Sequence, residues 1–159
     1  PATSLGARIC EQLELSQLVD IIEFEFYDMP RGPLNLGSLA PLVFEAAADE
    51  DAVAVGILEQ AGREVARAVG VVCERLFPED QPVTVVFGGS VFMRGVSAVM
   101  IDTVRAEVAR QRPHTDFVRL QVEPVLGAVG FALDDAGLPA GGGIWQVLCD
   151  SFAHIAGDG

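Results

Sequence analysis

The chain contains no lysine. Its ten basic residues are all arginine, they face 23 Asp and Glu, and the formal net charge is −13. Such a surface repels phosphate backbones and anionic headgroups, which argues against nucleic-acid and membrane-surface partners. Cysteine is also scarce. Cys10, Cys73 and Cys149 are odd in number, far apart, and form no CxxC pair. That argues against a zinc site or a disulfide framework and points to reduced thiols in a cytosolic protein. Neither histidine, His114 or His154, has a partner at metal-ligand spacing. No apolar run approaches the roughly 20 residues that span a bilayer; the longest is Val125 to Leu133. Pro1 to Glu11 shows no cationic stretch followed by an apolar one, so the sequence predicts no signal peptide and a cytoplasmic location.

What is present suits a globular core. The chain has 159 residues, the size of one ordinary domain, and half of them are hydrophobic. Leu5 to Leu13 predicts a short helix. Leu18, Val19, Ile22 and Phe26 recur at helical spacing behind Ser16 as N-cap, predicting a second helix to about Asp28, stopped by Met29 to Pro33. Ser38 is the expected cap of a third helix, Leu39 to Ala48, with Pro41 in its first turn. Asp51 then caps the longest predicted helix, Ala52 to Phe77. Its apolar stripe is read as Val53, Ile57, Leu58, Ala61, Val65, Ala68, Val72 and Leu76, with Glu59, Arg63, Glu64, Arg67 and Glu74 opposite. Cys73 falls on the apolar side as a structural thiol.

Val83 to Phe87 is β-branched and apolar, the pattern of a buried strand, and ends at Gly88-Gly89-Ser90. A helix is expected from Gly95 to Arg112, a second strand from Phe117 to Val122, and a small-residue helix from Val125 to Ala136. Gly137 to Gly143 reads as a link and Ile144 to Ile155 as a last helix, giving units at residues 1–137 and 138–159. Two strands separated by a helix predict a parallel crossover, so the fold class is α/β, helix-rich with a small parallel sheet. Two strands alone make a poor sheet, which predicts that further strands come from elsewhere, and a homodimer is one such source.

The element with chemical character is Val85-Val86-Phe87-Gly88-Gly89-Ser90-Val91-Phe92. A glycine pair after a strand lets the backbone approach a ligand with no Cβ between them. In open α/β sheets, ligands sit at the C-terminal ends of strands, where this turn falls. The bland alternative is ordinary turn chemistry. The segment is neither a P-loop nor a GxGxxG fingerprint. Arg94, four residues beyond Ser90, is a candidate for phosphate contact or a solvated arginine. Glu45 and Asp49 near a helix end are candidates for a metal site, with solvation and capping as the plainer reading, and Trp145 is a candidate partner anchor, with packing on the domain as the more usual one.

Four segments occur in order: Phe44-Glu45-Ala46-Ala47-Ala48 through Asp51-Ala52 and Ile57-Leu58; Ala61-Gly62-Arg63-Glu64-Val65-Ala66; Val85 to Val91; and Pro124-Val125-Leu126-Gly127-Ala128. Together, over about Ile9 to Gly137, they resemble the C-terminal half of N-acetylglucosamine kinase-like proteins. These belong to the BadF/BadG/BcrA/BcrD ATPase family of the sugar kinase, hsp70 and actin superfamily. The resemblance implies a ribonuclease H-like C-terminal lobe that binds Mg-ATP with a second lobe. It implies an adenosine site at Gly88, Gly89, Ser90 and Val91, with ATP or ADP as ligand and an amino sugar held by the other lobe. The long helix would lie near the adenine, and the helix from Pro124 would pack on the sheet.

The departures are specific. No Asp-x-Gly-Gly-Thr phosphate hairpin and no Gly-Asp-Glu-Gly-Ser segment occurs in the chain. Phosphoryl transfer needs phosphate clamps, Mg ligands and a base, so the expectation is nucleotide binding without catalysis by these residues alone. No cysteine stands in the iron-sulfur motif of the activators of acyl-CoA dehydratases and reductases, the family's other branch. Two further readings stand beside the kinase lobe. One is a non-catalytic assembly module; the other is an unrelated acidic α/β domain in which Gly88-Gly89-Ser90 is only a turn.

Overall fold

The computed structural model describes residues 2–22, 36–120, 122–138, 141 and 143–157, without the side chains of 36 and 153–157. It is α/β and helix-rich. The chain divides into two compact units, Pro1–Arg119 and Leu120–Gly159.

In the first unit, α1 (Leu5–Leu13) is followed by a short 3-10 helix, Leu18–Asp20. The helix expected from Ser16 is therefore not formed at its start. Gln17, not Ser16, caps the 3-10 turn, exchanging hydrogen bonds with Asp20. Its predicted continuation over 23–28 and the stop at 29–33 lie outside the described residues. A 3-10 helix, Leu36–Leu39, leads into α2 (Ala40–Ala48). Ser38 lies inside this 3-10 turn, and Leu39 occupies the N-cap position without a side-chain bond, so the expected Ser38 cap is corrected. Pro41 does fall in the first turn, where its missing N–H has no intrahelical partner to lose. Glu50, at φ 62°, turns the chain toward α3 (Ala52–Leu76).

Asp51 caps α3 as expected, accepting from the backbone N–H groups of Val53 at 3.0 Å and Ala54 at 3.2 Å. The same carboxylate accepts from the Ser4 amide at 2.6 Å and hydroxyl at 2.9 Å, and from the Thr3 hydroxyl at 3.0 and 3.1 Å. These bonds, led by the Ser4 amide, hold its carboxyl far below the usual carboxylate range. Beside this clasp, Arg8 on α1 pairs with Asp49 at 2.5 Å and Glu45 at 3.8 Å.

The buried stripe of α3 is Ala54, Leu58, Gly62, Ala66 and Cys73. This corrects the predicted stripe: Ile57, Ala68, Val72 and Leu76 are exposed, and Leu76 is 70% exposed. The reason is close packing against α5 (Val99–Gln111). A Cβ on Gly62 would stand 2.8 Å from the Met100 carbonyl oxygen and 2.8 Å from Thr103 Cβ. Leu58 is buried as predicted, but around Gly62 and Ala66 small residues line the seam because the helix backbones nearly touch there.

β1 (Val83–Phe87) and β2 (Thr115–Arg119) form a two-stranded parallel sheet. Val83 pairs with Thr115 and Phe87 with Arg119 at the two ends of the register. The second strand ends before the predicted Phe117–Val122 run does; it begins at Thr115, and residue 121 lies outside the described set. Between the strands run α4 (Ser90–Arg94) and α5. The single helix expected from Gly95 is thus preceded by a separate turn of helix, with Gly95 at its end.

One sheet face is covered. Phe87 on β1, Ala66 on α3, and Val104 and Val108 on α5 form one core cluster, with Val85, Phe92 and Phe117 packed against it. A second cluster joins Leu5, Phe44, Ala46, Ala47, Ala54, Leu58 and Met100. On the other sheet face, Thr84, Val86, Asp116 and Val118 are exposed. In the second unit, α6 (Pro124–Asp135) and α7 (Gly143–Gly157) pack together. Among the described residues, no helix is long and apolar enough to cross a membrane.

Candidate functional site

The candidate site grows from the end of β1. Alternation along Val83–Phe87 turns Phe87 into the core, where it is 2% exposed. Its ring lies 6.1 Å from that of Phe117, nearly parallel, and 5.3 Å from that of Phe92. Phe87 therefore fixes both the neighbouring strand and, through Phe92, the short helix α4.

Between Phe87 and α4 the chain makes its turn through Gly88 and Gly89. Gly89 adopts φ 88° and ψ 160°, a region essentially closed to residues with a Cβ. Nothing lies within 4 Å of where a Gly89 Cβ would be. The glycine is thus demanded by conformation rather than by crowding, and the space beside it is open. Gly88, Gly89, Ser90 and Val91 are all exposed.

Two further contacts hold α4. The Arg119 guanidinium, at the end of β2, donates to the Met93 carbonyl at 2.7 Å. On the other side, Gly95 presses against α2: a Cβ there would stand 2.6 Å from the Phe44 ring and 2.8 Å from the Val91 carbonyl oxygen. Phe44 is itself only 7% exposed and has little room to yield.

The short helix α4 and the residues that follow it form one wall of a cavity of about 380 Å³. Ser90, Val91, Arg94, Gly95 and Val96 line it from this side, and Ala40, Pro41, Phe44 and Glu45 line it from α2. The structure thus brings Ser90 and Val91 to the cavity, while Gly88 and Gly89, both exposed, do not line it. Its surface is mostly apolar, with a hydroxyl, a carboxylate and a guanidinium as the polar side chains. Such a hollow suits a flat, largely apolar group carrying polar substituents. The five-residue α4 is too short for its N-terminus to hold an anion by its dipole.

Phe44 and Glu45 open the first of the ordered segments, but nothing in the sequence ties them, Pro41 or Arg119 to the Gly88–Gly89 turn. They reach the site only through packing of α2 on α4 and pairing of β2 with β1. Gly95 carried a signal as a helix boundary, although its contact with Phe44 could not be read from spacing. Among the described residues, no group of three His, Cys, Asp or Glu side chains is placed to hold a metal ion. Cys73 is buried, and Cys10 and Cys149 are half-buried, all as free thiols. His114 is exposed and Trp145 half-buried.

No family model, curated protein or solved structure matches this chain.

Proposed function

We propose that the chain is a nucleotide-binding lobe that takes the adenosine end of ATP or ADP beside Gly88, Gly89, Ser90 and Val91. The observation that carries this reading is the exposed Gly88–Gly89 turn at the C-terminal end of a parallel strand, opening beside an apolar cavity of about 380 Å³. Ligands of open parallel sheets bind at that end. In this reading the base lies between Pro41 and Phe44 on one wall and Val91 and Val96 on the other, residues that all line the cavity, with the ribose toward Ser90.

The ordered motifs from Phe44 to Ala128 support a narrower form of the proposal. In it, the fold is a partial ribonuclease H-like C-terminal lobe of an ATP-dependent, N-acetylglucosamine kinase-like phosphotransferase. ATP supplies the transferable phosphoryl group when bound. This chain's residues bind and orient the nucleoside, and the amino sugar belongs to a second lobe. In this reading the phosphate clamps, the Mg ligands and the base belong to the second lobe.

The test is a calorimetric titration of the chain with ADP and ATP, with and without Mg. Saturable binding that is lost in a folded Gly89→Val variant supports the reading. Absence of binding at millimolar nucleotide sinks it.

A second reading has its own observation. The sheet face that carries Val86, 55% exposed, and Val118, 47% exposed, suits a non-catalytic assembly module that docks a second copy or another lobe. Concentration-dependent self-association in sedimentation, with no effect of nucleotide on melting, would favour it over the nucleotide site.

A further inference from the structure

We propose that Arg94 is the anion-recognising residue of the cavity beside the Gly88–Gly89 turn, so that the cavity selects a phosphorylated nucleotide over the bare nucleoside. This inference rests on the nucleotide reading above and adds to it the residue that would set ligand charge.

The chain carries a net charge of −13, so its overall field opposes an anionic ligand. A cation beside the cavity offsets that field locally and favours a phosphate there. Two charged side chains line the cavity, Glu45 and Arg94. Glu45 faces Arg8, 3.8 Å away. Arg94 has neither a hydrogen bond nor an ion pair among the described residues.

That condition separates Arg94 from the other arginines. Arg8, Arg63, Arg67, Arg105 and Arg110 are paired with carboxylates. Arg112 donates to the Phe77 and Pro78 carbonyls, and Arg119 to that of Met93. Among the described residues only Arg75 shares the unpaired state of Arg94, and Arg75 does not line the cavity.

The backbone of Arg94 is also fixed. Its predecessor Met93 is held by Arg119, and its successor Gly95 is pressed on Phe44. The guanidinium is therefore presented from an anchored stem, which lowers the ordering cost of binding. A guanidinium offers two parallel N–H donors to a phosphate and stays charged at any physiological pH.

The experiment titrates adenosine, AMP and ADP into the full chain and into Arg94→Ala and Arg94→Gln variants by calorimetry at low salt. Circular dichroism establishes that each variant is folded; Arg94 is exposed, and the glutamine variant keeps much of its aliphatic bulk. The expected result is that both variants lose about tenfold or more in ADP affinity while adenosine affinity stays within about twofold. The wild-type preference for ADP over adenosine should shrink as salt rises. Equal losses for adenosine and ADP would assign Arg94 to the base or to the shape of the cavity, and unchanged ADP affinity would remove it from the site; either overturns the inference while leaving nucleotide binding in place. Failure of the wild type to bind all three ligands instead overturns the nucleotide reading itself.

Discussion

The Arg119 guanidinium donates a 2.7 Å hydrogen bond to the Met93 carbonyl across 26 residues of sequence. Arg119 pairs in register with Phe87, so this bond ties the end of β2 to the helix that follows the end of β1. Replacing Arg119 with Ala is expected to cost about 1 kcal/mol in urea unfolding, since the bond is charge-assisted but exposed. It should weaken ADP binding beyond what lost stability alone explains, because α4 loses one of the contacts that hold it. Arg119→Lys should restore part of the affinity. Unchanged ADP affinity in a folded Arg119→Ala variant would show that the tie does not position α4.

Gly95 and Phe44 set the depth of the cavity. A Gly95→Ala substitution places a methyl group against the buried Phe44 ring. Overpacking of this kind costs about 1–3 kcal/mol. ADP affinity should fall with it, because the ring and the Val91 backbone must move apart. Chemical denaturation and nucleotide titration of the same variant measure both effects.

Gly62 tests the helix seam away from the site. Alanine normally gains about 1 kcal/mol over glycine inside a helix. Here the added methyl meets the Met100 carbonyl and Thr103, and backbone cannot step aside as a flexible side chain does. The expected outcome of Gly62→Ala is net destabilisation of about 1–3 kcal/mol, read from denaturant midpoints. A stabilised variant would mean that α3 and α5 are farther apart than described.

Asp51 carries the acid dependence of the N-terminal clasp. Its carboxyl is depressed in the folded state, chiefly by the Ser4 amide. The stabilisation is therefore fully present above the unfolded carboxylate pKa of about 4 and is lost as pH falls below it. Melting temperatures should rank wild type, then Asp51→Asn, then Asp51→Ala at neutral pH. The gap between wild type and Asp51→Asn should narrow as pH drops below about 4. A gap that is constant across that range would show that the charge on Asp51 contributes nothing.

Local chemistry made several features legible in the sequence. Asp51 has the cap residue type directly before a long helical pattern, and it caps α3. Val83–Phe87 is β-branched between a turn and a glycine pair, and it is β1. Other features depended on tertiary packing. The buried stripe of α3 follows Ala54, Gly62 and Ala66 because α5 approaches closely, whereas hydrophobicity alone pointed to Ile57, Val72 and Leu76. The split of the helix region into α4 and α5 follows from the backbone break at Gly95, which faces Phe44. The start of β2 at Thr115 is set by pairing with Val83, a relation that no spacing within the strand reveals. At the site, Gly88-Gly89-Ser90-Val91 stood out by composition. The place of Pro41, Phe44 and Arg119 beside it was not legible, since they reach it from distant parts of the chain.

The most direct measurement is the melting temperature of the chain against increasing ADP, beside a folded Gly89→Val variant. A ligand that binds only the folded state stabilises by about 2.7 kcal/mol at one hundred times its dissociation constant. The wild type should therefore melt progressively higher as ADP rises, and the variant should not respond. A wild-type melting temperature that stays flat into the millimolar range would contradict a nucleotide site at the Gly88–Gly89 turn.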